Sequence, residues 1–181
     1  MKTGESLGSR LKRGVCCFGL SVVLPCPSVI EMAALAGYDF VRIDWEHALF
    51  GAIELRELLN TARLVGMPCQ VRVPELTMIT PLLGQEPAGI MVPHVESEKE
   101  ARAAVDACRF QPLGRRGMDG NTRRMRCEGM TRRTYMEYQQ ENLDIVVQIE
   151  SIPAMEKIDE ILSLDGITMA ATGRADLSQE L

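Results

Sequence analysis

The chain has 181 residues, 46% of them hydrophobic and 25% charged, with a formal net charge of -5. This composition describes one globular domain, 1–181, with a real core, and excludes a disordered chain. The acidic balance argues against general affinity for nucleic acid, and no apolar run approaches the ~18 residues of a membrane span.

Ser6 to Arg13 reads as a short polar helix. Arg10, Lys12 and Arg13 before the apolar stretch Gly14 to Leu24 imitate a signal peptide, but no small-x-small cleavage site follows. A first strand over Val15 to Val23 is the more economical reading. Pro27 opens a helix with an apolar face of Val29, Ile30, Met32, Ala33 and Ala36, and Gly37 stops it. Asp39 to Ile43 is the second strand. A helix over Ala52 to Val65 buries Ile53, Leu55, Leu58, Leu59, Ala62 and Val65, and ends at Gly66 and Pro68. Cys69 to Val73 is the third strand. Pro81 then limits Leu76 to Leu83 to a short or kinked helix.

Gly89 to Val92 is the fourth strand. Ser97, with Glu100 three residues on, forms a capping box for a helix reaching Arg109. Pro112 to Met130 is a long loop rich in Gly and Arg. Thr131 to Gln140 returns to helix, Asp144 to Ile149 is the fifth strand, Pro153 to Leu162 a helix, and Ile167 to Thr172 the sixth strand. Another helix would begin after Gly173. Strand and helix alternate without a linker, as in a parallel α/β protein.

Five apolar strands each finish in an ionisable residue. Asp44, Glu46 and His47 follow the second, Arg72 closes the third and His94 follows the fourth, while Glu150 and Asp176 follow the fifth and sixth. Charges are rarely left unpaired inside, so these groups belong at the mouth formed by the C-terminal strand ends. Glu150 and Asp176 suit a hard divalent cation, Mg²⁺ or Mn²⁺; the other reading of both is helix capping, ahead of Ser151 and of Leu177-Ser178. His47 reads as a general base oriented by Asp44 or Glu46, or as a surface-loop histidine. Arg72, set between Val71 and Val73, requires an anionic partner: a substrate carboxylate, or Asp44 or Glu46. His94 reads as a packed or solvated histidine. The arginines at 115, 116, 123, 124, 126, 132 and 133 admit a phosphate or nucleic-acid role, but a solvated, partly substrate-facing loop fits the acidic chain better. The cysteines at 16, 17, 26, 69, 108 and 127 include no C-x-x-C, and four fall in apolar runs or on a helix face. Buried free thiols in a reducing, cytoplasmic compartment are expected.

The runs YDFVRIDWEH (Tyr38 to His47), VRVP (Val71 to Pro74), GIMVPHVES (Gly89 to Ser97), PLGRRG (Pro112 to Gly117), VQIES (Val147 to Ser151) and GRADLS (Gly173 to Ser178) together resemble the HpcH/HpaI aldolase family, the class II pyruvate aldolases related to the citrate lyase β subunit. The resemblance covers Ser6 to Leu181. It implies a (β/α)₈ TIM barrel, here truncated after about six β-α units, and a homo-oligomer at full length. It also implies a divalent metal, magnesium or manganese with cobalt as a further option, and reversible cleavage of 4-hydroxy-2-oxo acids to pyruvate and an aldehyde. The resemblance places the metal on Glu150 and Asp176 and the pyruvate carboxylate on Arg72. It makes His47 the base and Asp44 an ordering residue, with Gly173, Arg174 and Ala175 lining the pyruvate pocket. Arg174 stands where the family usually carries proline, and Gly84 where an aspartate assisting the histidine is expected. A related lyase or decarboxylase, and a non-catalytic remnant on the same scaffold, are the competing readings. Six strands of an eight-stranded barrel cannot close, so the 181-residue chain alone is expected to associate through its open edges or stay partly unfolded, with little aldolase activity.

Overall fold

The computed structural model describes residues 5–180. Six strands, β1 (Gly19–Val22), β2 (Phe40–Asp44), β3 (Cys69–Arg72), β4 (Gly89–Val92), β5 (Asp144–Ile149) and β6 (Met169–Thr172), form one sheet in sequential order. Every neighbouring pair is parallel. The helices are α1 (Leu7–Lys12), α2 (Pro27–Leu35), α3 (Ala52–Val65), α4 (Ile79–Leu83), α5 (Glu98–Cys108), α6 (Arg123–Cys127), α7 (Arg132–Asn142), α8 (Ile152–Glu156), α9 (Ile158–Leu162) and α10 (Arg174–Glu180). No helix among the described residues is long and apolar enough to cross a membrane.

Period-two alternation gives the sheet two unlike faces. Val41, Ile43, Val71, Ile90, Ile145, Val147 and Ile149 are fully buried against the helices, where Ile30, Leu58, Ile79, Ala104 and Ile161 complete the core. The other face carries Arg42, Asp44, Gln70, Arg72 and Gln148, which bond to one another across strands. The sheet is curled about that polar face. Strands lie about 4.8 Å apart, so β3 and β6 of a flat sheet would be separated by roughly 14 Å. Instead Gln70 Nε2 on β3 lies 3.8 Å from Met169 Sδ on β6. The architecture is a curled half-barrel of the TIM type.

Local chemistry sets the element ends. Glu54 accepts from the Gly51 N–H at 3.1 Å, and Gly66 ends α3 at φ 72°, a left-handed conformation that glycine adopts without a Cβ penalty. Ser97 Oγ caps α5 by accepting from the Glu100 N–H. Pro81 falls within the broken segment that was expected, a 3-10 turn at Leu76–Met78 running into α4.

Four expectations need correction. The segment 112–130 is not loop throughout, because Thr122 caps α6 and Arg124 pairs with Glu128 across one of its turns. The predicted helix over Pro153 to Leu162 breaks at Lys157 into α8 and α9. On α3, Ile53 and Val65 lie outside the buried stripe and are exposed. Of the six free cysteines only Cys69 and Cys108 are buried, where desolvation pushes their thiols up to about 12; Cys16, Cys26 and Cys127 are exposed.

The end of the half-barrel away from the mouth is stoppered by α1. Its Gly8 N–H donates to both Asp144 carboxylate oxygens, at 3.1 and 3.3 Å, and a Cβ on Gly8 would lie 2.6 Å from Asp144 Oδ1. Burial pushes the Asp144 carboxyl up to about 6, against the pull of those N–H donors and Arg109. A raised carboxyl pKa means the folded protein holds a proton that the unfolded chain has released. Asp144 therefore contributes most stability below the unfolded value of ~3.9, and that contribution is lost as pH rises through 6. The interval corresponds to roughly 3 kcal/mol at most. Denaturant melts of wild type and Asp144→Asn across pH 3.5–7.5 should diverge over this window, with wild type losing ground as pH rises. Parallel profiles would show that Asp144 ionises freely.

Candidate active site

The sheet register assembles the mouth. Asp44 and Arg72 are direct partners on β2 and β3. Arg72 Nε donates to Asp44 Oδ1 at 3.1 Å and Nη2 to Oδ2 at 2.5 Å, a two-pronged ion pair, while Nη1 reaches Gln148 Oε1 at 3.4 Å. Burial alone would lift the Asp44 carboxyl. The hydrogen bonds and charge of Arg72, with the His47 N–H, outweigh it and hold Asp44 below the usual carboxylate range. Burial would likewise lower the Arg72 guanidinium, but Asp44, Glu46 and Glu150 raise it. Arg72 is thus a fixed cation in the site.

Asp44 has a second task. Its Oδ1 accepts from the backbone N–H groups of Glu46 and His47, both at 3.2 Å, which folds the segment after β2 back over the strand end. Glu46 is brought inward by that turn. Its Oε2 lies 3.1 Å from Arg72 Nε, yet that N–H is aimed at Asp44, so Oε2 is buried without a hydrogen bond. The His47 side chain is 63% exposed at the rim, with Nε2 3.6 Å from Glu46 Oε2. Of the two partners weighed for it, the imidazole sits by Glu46; Asp44 holds only its backbone.

Glu150 follows β5 and is 4% exposed. Its Oε2 accepts from Gln148 Nε2 and its Oε1 from the His94 N–H at 2.7 Å. The helix after it is capped by Ser151, whose Oγ accepts from the Ala154 N–H, so capping is not the task of Glu150. The His94 imidazole bridges two carboxylates, with Nε2 2.9 Å from Glu46 Oε1 and Nδ1 3.0 Å from Glu150 Oε1. To do this its backbone adopts φ 54°, a left-handed conformation that costs a side-chain-bearing residue about 1 kcal/mol. Gly173 follows β6 and packs on Glu150: a Cβ there would lie 2.4 Å from Glu150 Oε2. Arg174, Ala175 and Asp176 form the first turn of α10 and are exposed.

The structure therefore joins Asp44, Arg72, Glu150 and Gly173 in one cluster, with His47 at its edge. Asp176 lies exposed on α10, while Glu150 is buried. Among the described residues no three His, Cys, Asp or Glu side chains converge to hold a metal ion. Three further side chains, Gln148, Glu46 and His94, join the cluster. Gln148 was detectable, being two residues before Glu150 and so on the same face of β5. Glu46 was read as an orienting group for His47 or a partner of Arg72. His94 was placed at the strand end but read as packed or solvated, because its bridge depends on a left-handed backbone conformation that leaves no sequence signal.

The family profile described as HpcH/HpaI aldolase/citrate lyase matches residues 18–181. The 2-keto-3-deoxy-L-rhamnonate aldolase of Escherichia coli strain K12 is 32% identical over 174 residues, covering 95% of this chain and 65% of that protein. The chain thus spans slightly less than two thirds of that relative's length. A 4-hydroxy-4-methyl-2-oxoglutarate aldolase of Hapsidospora irregularis is also 32% identical, over 97% of this chain and 67% of its own. Among solved structures, an HpcH/HpaI aldolase from Desulfitobacterium hafniense DCB-2 superposes with a TM-score of 0.87 at 28% identity, covering 98% of this chain and 69% of that one. The citrate synthase SbnG does so at 0.84 and 31%, covering 97% and 68%.

Proposed function

Since the chain belongs to the HpcH/HpaI aldolase/citrate lyase family, we propose that its strand-end cluster cleaves 4-hydroxy-2-oxo acids reversibly to pyruvate and an aldehyde, with a divalent cation at Glu150 and Asp176. The observation that carries this reading is the Arg72 fork. It is locked by Asp44 and Glu46 and braced by Gln148, next to a buried carboxylate at the same mouth. A guanidinium so held is a preorganised receptor for a 2-oxo acid carboxylate.

In this reading Arg72 grips the pyruvate carboxylate, and Asp44 fixes the planar fork and the turn that carries Glu46 and His47. His47, exposed at the rim, takes the proton from the C4 hydroxyl. The C3–C4 bond breaks, its electron pair stays with the pyruvate half, and the C4 oxygen becomes the aldehyde; C3 then regains a proton. The donors suit Mg²⁺ or Mn²⁺, with Co²⁺ as a further option, since both are carboxylates. The bare backbone of Gly173 lets Glu150 and Gln148 pack against it, where a Cβ would clash with both. A divalent cation at the two carboxylates would stabilise the negative charge that develops on the 2-oxo oxygen. The free thiols accord with a cytoplasmic protein, and exposed Leu35, Leu49 and Leu64 support a homo-oligomer.

Two measurements test the reading. Mn²⁺ titration followed by electron paramagnetic resonance should show a bound ion whose affinity falls at least tenfold in Glu150→Gln. Pyruvate release from a 4-hydroxy-2-oxo acid should require added cation and stop with chelator. Turnover that persists in chelator would remove the metal from the mechanism. A protein that binds neither Mn²⁺ nor pyruvate would be the non-catalytic remnant.

A further inference from the structure

A second cleft, of about 950 Å³, lies between α3, α4 and the segment from Arg116 to Cys127, and none of the strand-end cluster lines it. Its walls carry five arginines, Arg56, Arg63, Arg116, Arg123 and Arg126, against one carboxylate, Asp119. On a chain of net charge -5, this concentrates positive charge in one place.

The pattern of ion pairing is informative. Arg115, Arg124 and Arg133 nearby in sequence are each paired with a carboxylate: Asp106 at 3.4 Å, Glu128 at 2.6 Å and Glu137 at 2.8 Å. Glu86, a buried carboxylate close by, faces Arg124 as well, at 3.7 Å. None of the five arginines in the cleft is ion-paired among the described residues. Arg63 donates from Nη2 to Asn60, while its Nε is buried with no partner. Arg116 is held by Gln139 Oε1 at 2.9 Å and Tyr135 Oη at 3.2 Å, with its guanidinium stacked 4.5 Å from the Phe110 ring centre. Burial lowers both guanidinium groups, and Arg123 lowers Arg63 further. Asp119 is turned toward its own loop, where it accepts from the Asn121 N–H at 3.0 Å.

Like charges gathered in a partly desolvated cleft are stabilised by an anion. We propose that this cleft binds a small, multiply charged oxyanion, a phosphate ester or a di- or tricarboxylate, engaged by the guanidinium forks of Arg56, Arg63 and Arg126. The volume suits a metabolite. A nucleic-acid strand would need exposed aromatic faces for its bases. Tyr135 is buried, and the ring of Tyr138 is covered by Arg124, 4.3 Å from its centre.

Calorimetric titration of the 181-residue protein with pyrophosphate and with tricarballylate, in buffer freed of metal beforehand by a chelating resin, tests the assignment. At least one should bind saturably, and more weakly as NaCl is raised. The preferred probe tells phosphate from carboxylate recognition. Arg56→Gln and Arg126→Gln lie on exposed positions of their helices and should each weaken binding about tenfold, with unchanged circular dichroism. Arg133→Gln, outside the cleft, should bind as wild type. The absence of saturable binding by both probes, or equal affinity in all three variants, would overturn the proposal. So would a single-stranded oligonucleotide that displaces the probe and binds more tightly than either.

Discussion

Arg72→Ala should lower kcat/KM for pyruvate release by roughly a thousandfold, the scale of removing a principal charge-stabilising donor from an active site. It should also destabilise the fold by about 3 kcal/mol, because a buried ion pair loses one partner. Asp44 loses its two-pronged bond, and Glu46 Oε2, which already accepts no hydrogen bond, loses the guanidinium 3.1 Å away. Arg72→Lys separates the two effects. Lysine restores the charge and so most of the stability, but it cannot offer the planar fork to Asp44 and a bound carboxylate together. Its stability should therefore return while its turnover stays low. If Arg72→Lys recovers both, Arg72 acts as a point charge and the preorganised-fork reading is wrong. Steady-state kinetics and thermal melts on the same preparations decide it.

Gly173→Ala should be nearly as damaging with only one carbon added. The new Cβ would lie 2.4 Å from Glu150 Oε2, 2.5 Å from Glu150 Cβ and 2.8 Å from Gln148 Nε2. Real Cβ atoms do not approach so closely, and Glu150 cannot swing aside cheaply. Gln148 and the His94 backbone hold its carboxylate, and its own Cβ is part of the clash. The expected result is a loss of about 1–3 kcal/mol in stability, the usual range for overpacking. A fall of about a hundredfold in Mn²⁺ affinity, the upper range for disturbing the support of a metal ligand, should accompany it. Gly117→Ala is the control, since a Cβ at Gly117 meets nothing within 4 Å. Unchanged Mn²⁺ affinity in Gly173→Ala would place the cation away from Glu150.

The order of strands and helices was readable because the chain punctuates itself. Gly66 and Pro68 close one unit, Ser97 opens another, and each strand is a short apolar run bounded by turn residues. Asp44 and Arg72 could be paired from sequence because sequential parallel strands place consecutive strand ends side by side. What remained unreadable depends on distances between strands remote in sequence. The curl that brings Gln70 to Met169 leaves no local trace. Neither does the bridge His94 makes between Glu46 and Glu150, which spans three strand ends. The helix α6 was hidden by its composition, three arginines, a methionine and a cysteine with glycines nearby, which reads as loop until Thr122 and Glu128 are placed around it.

All six residues of β5 are buried, between β4 and β6, and the strand carries Asp144 at one end and Glu150 just past the other. Its amides belong to the part of the protein that opens only with the whole molecule, so they set the slowest class of hydrogen exchange. Glu46 and His47 lie outside the sheet, on a turn held to β2 by the two N–H bonds to Asp44. That turn should exchange its amides faster than β5 does, since it lies outside the sheet ladder. The carboxylate of the site thus follows the strand expected to be best protected, and the histidine sits on a segment expected to open on its own.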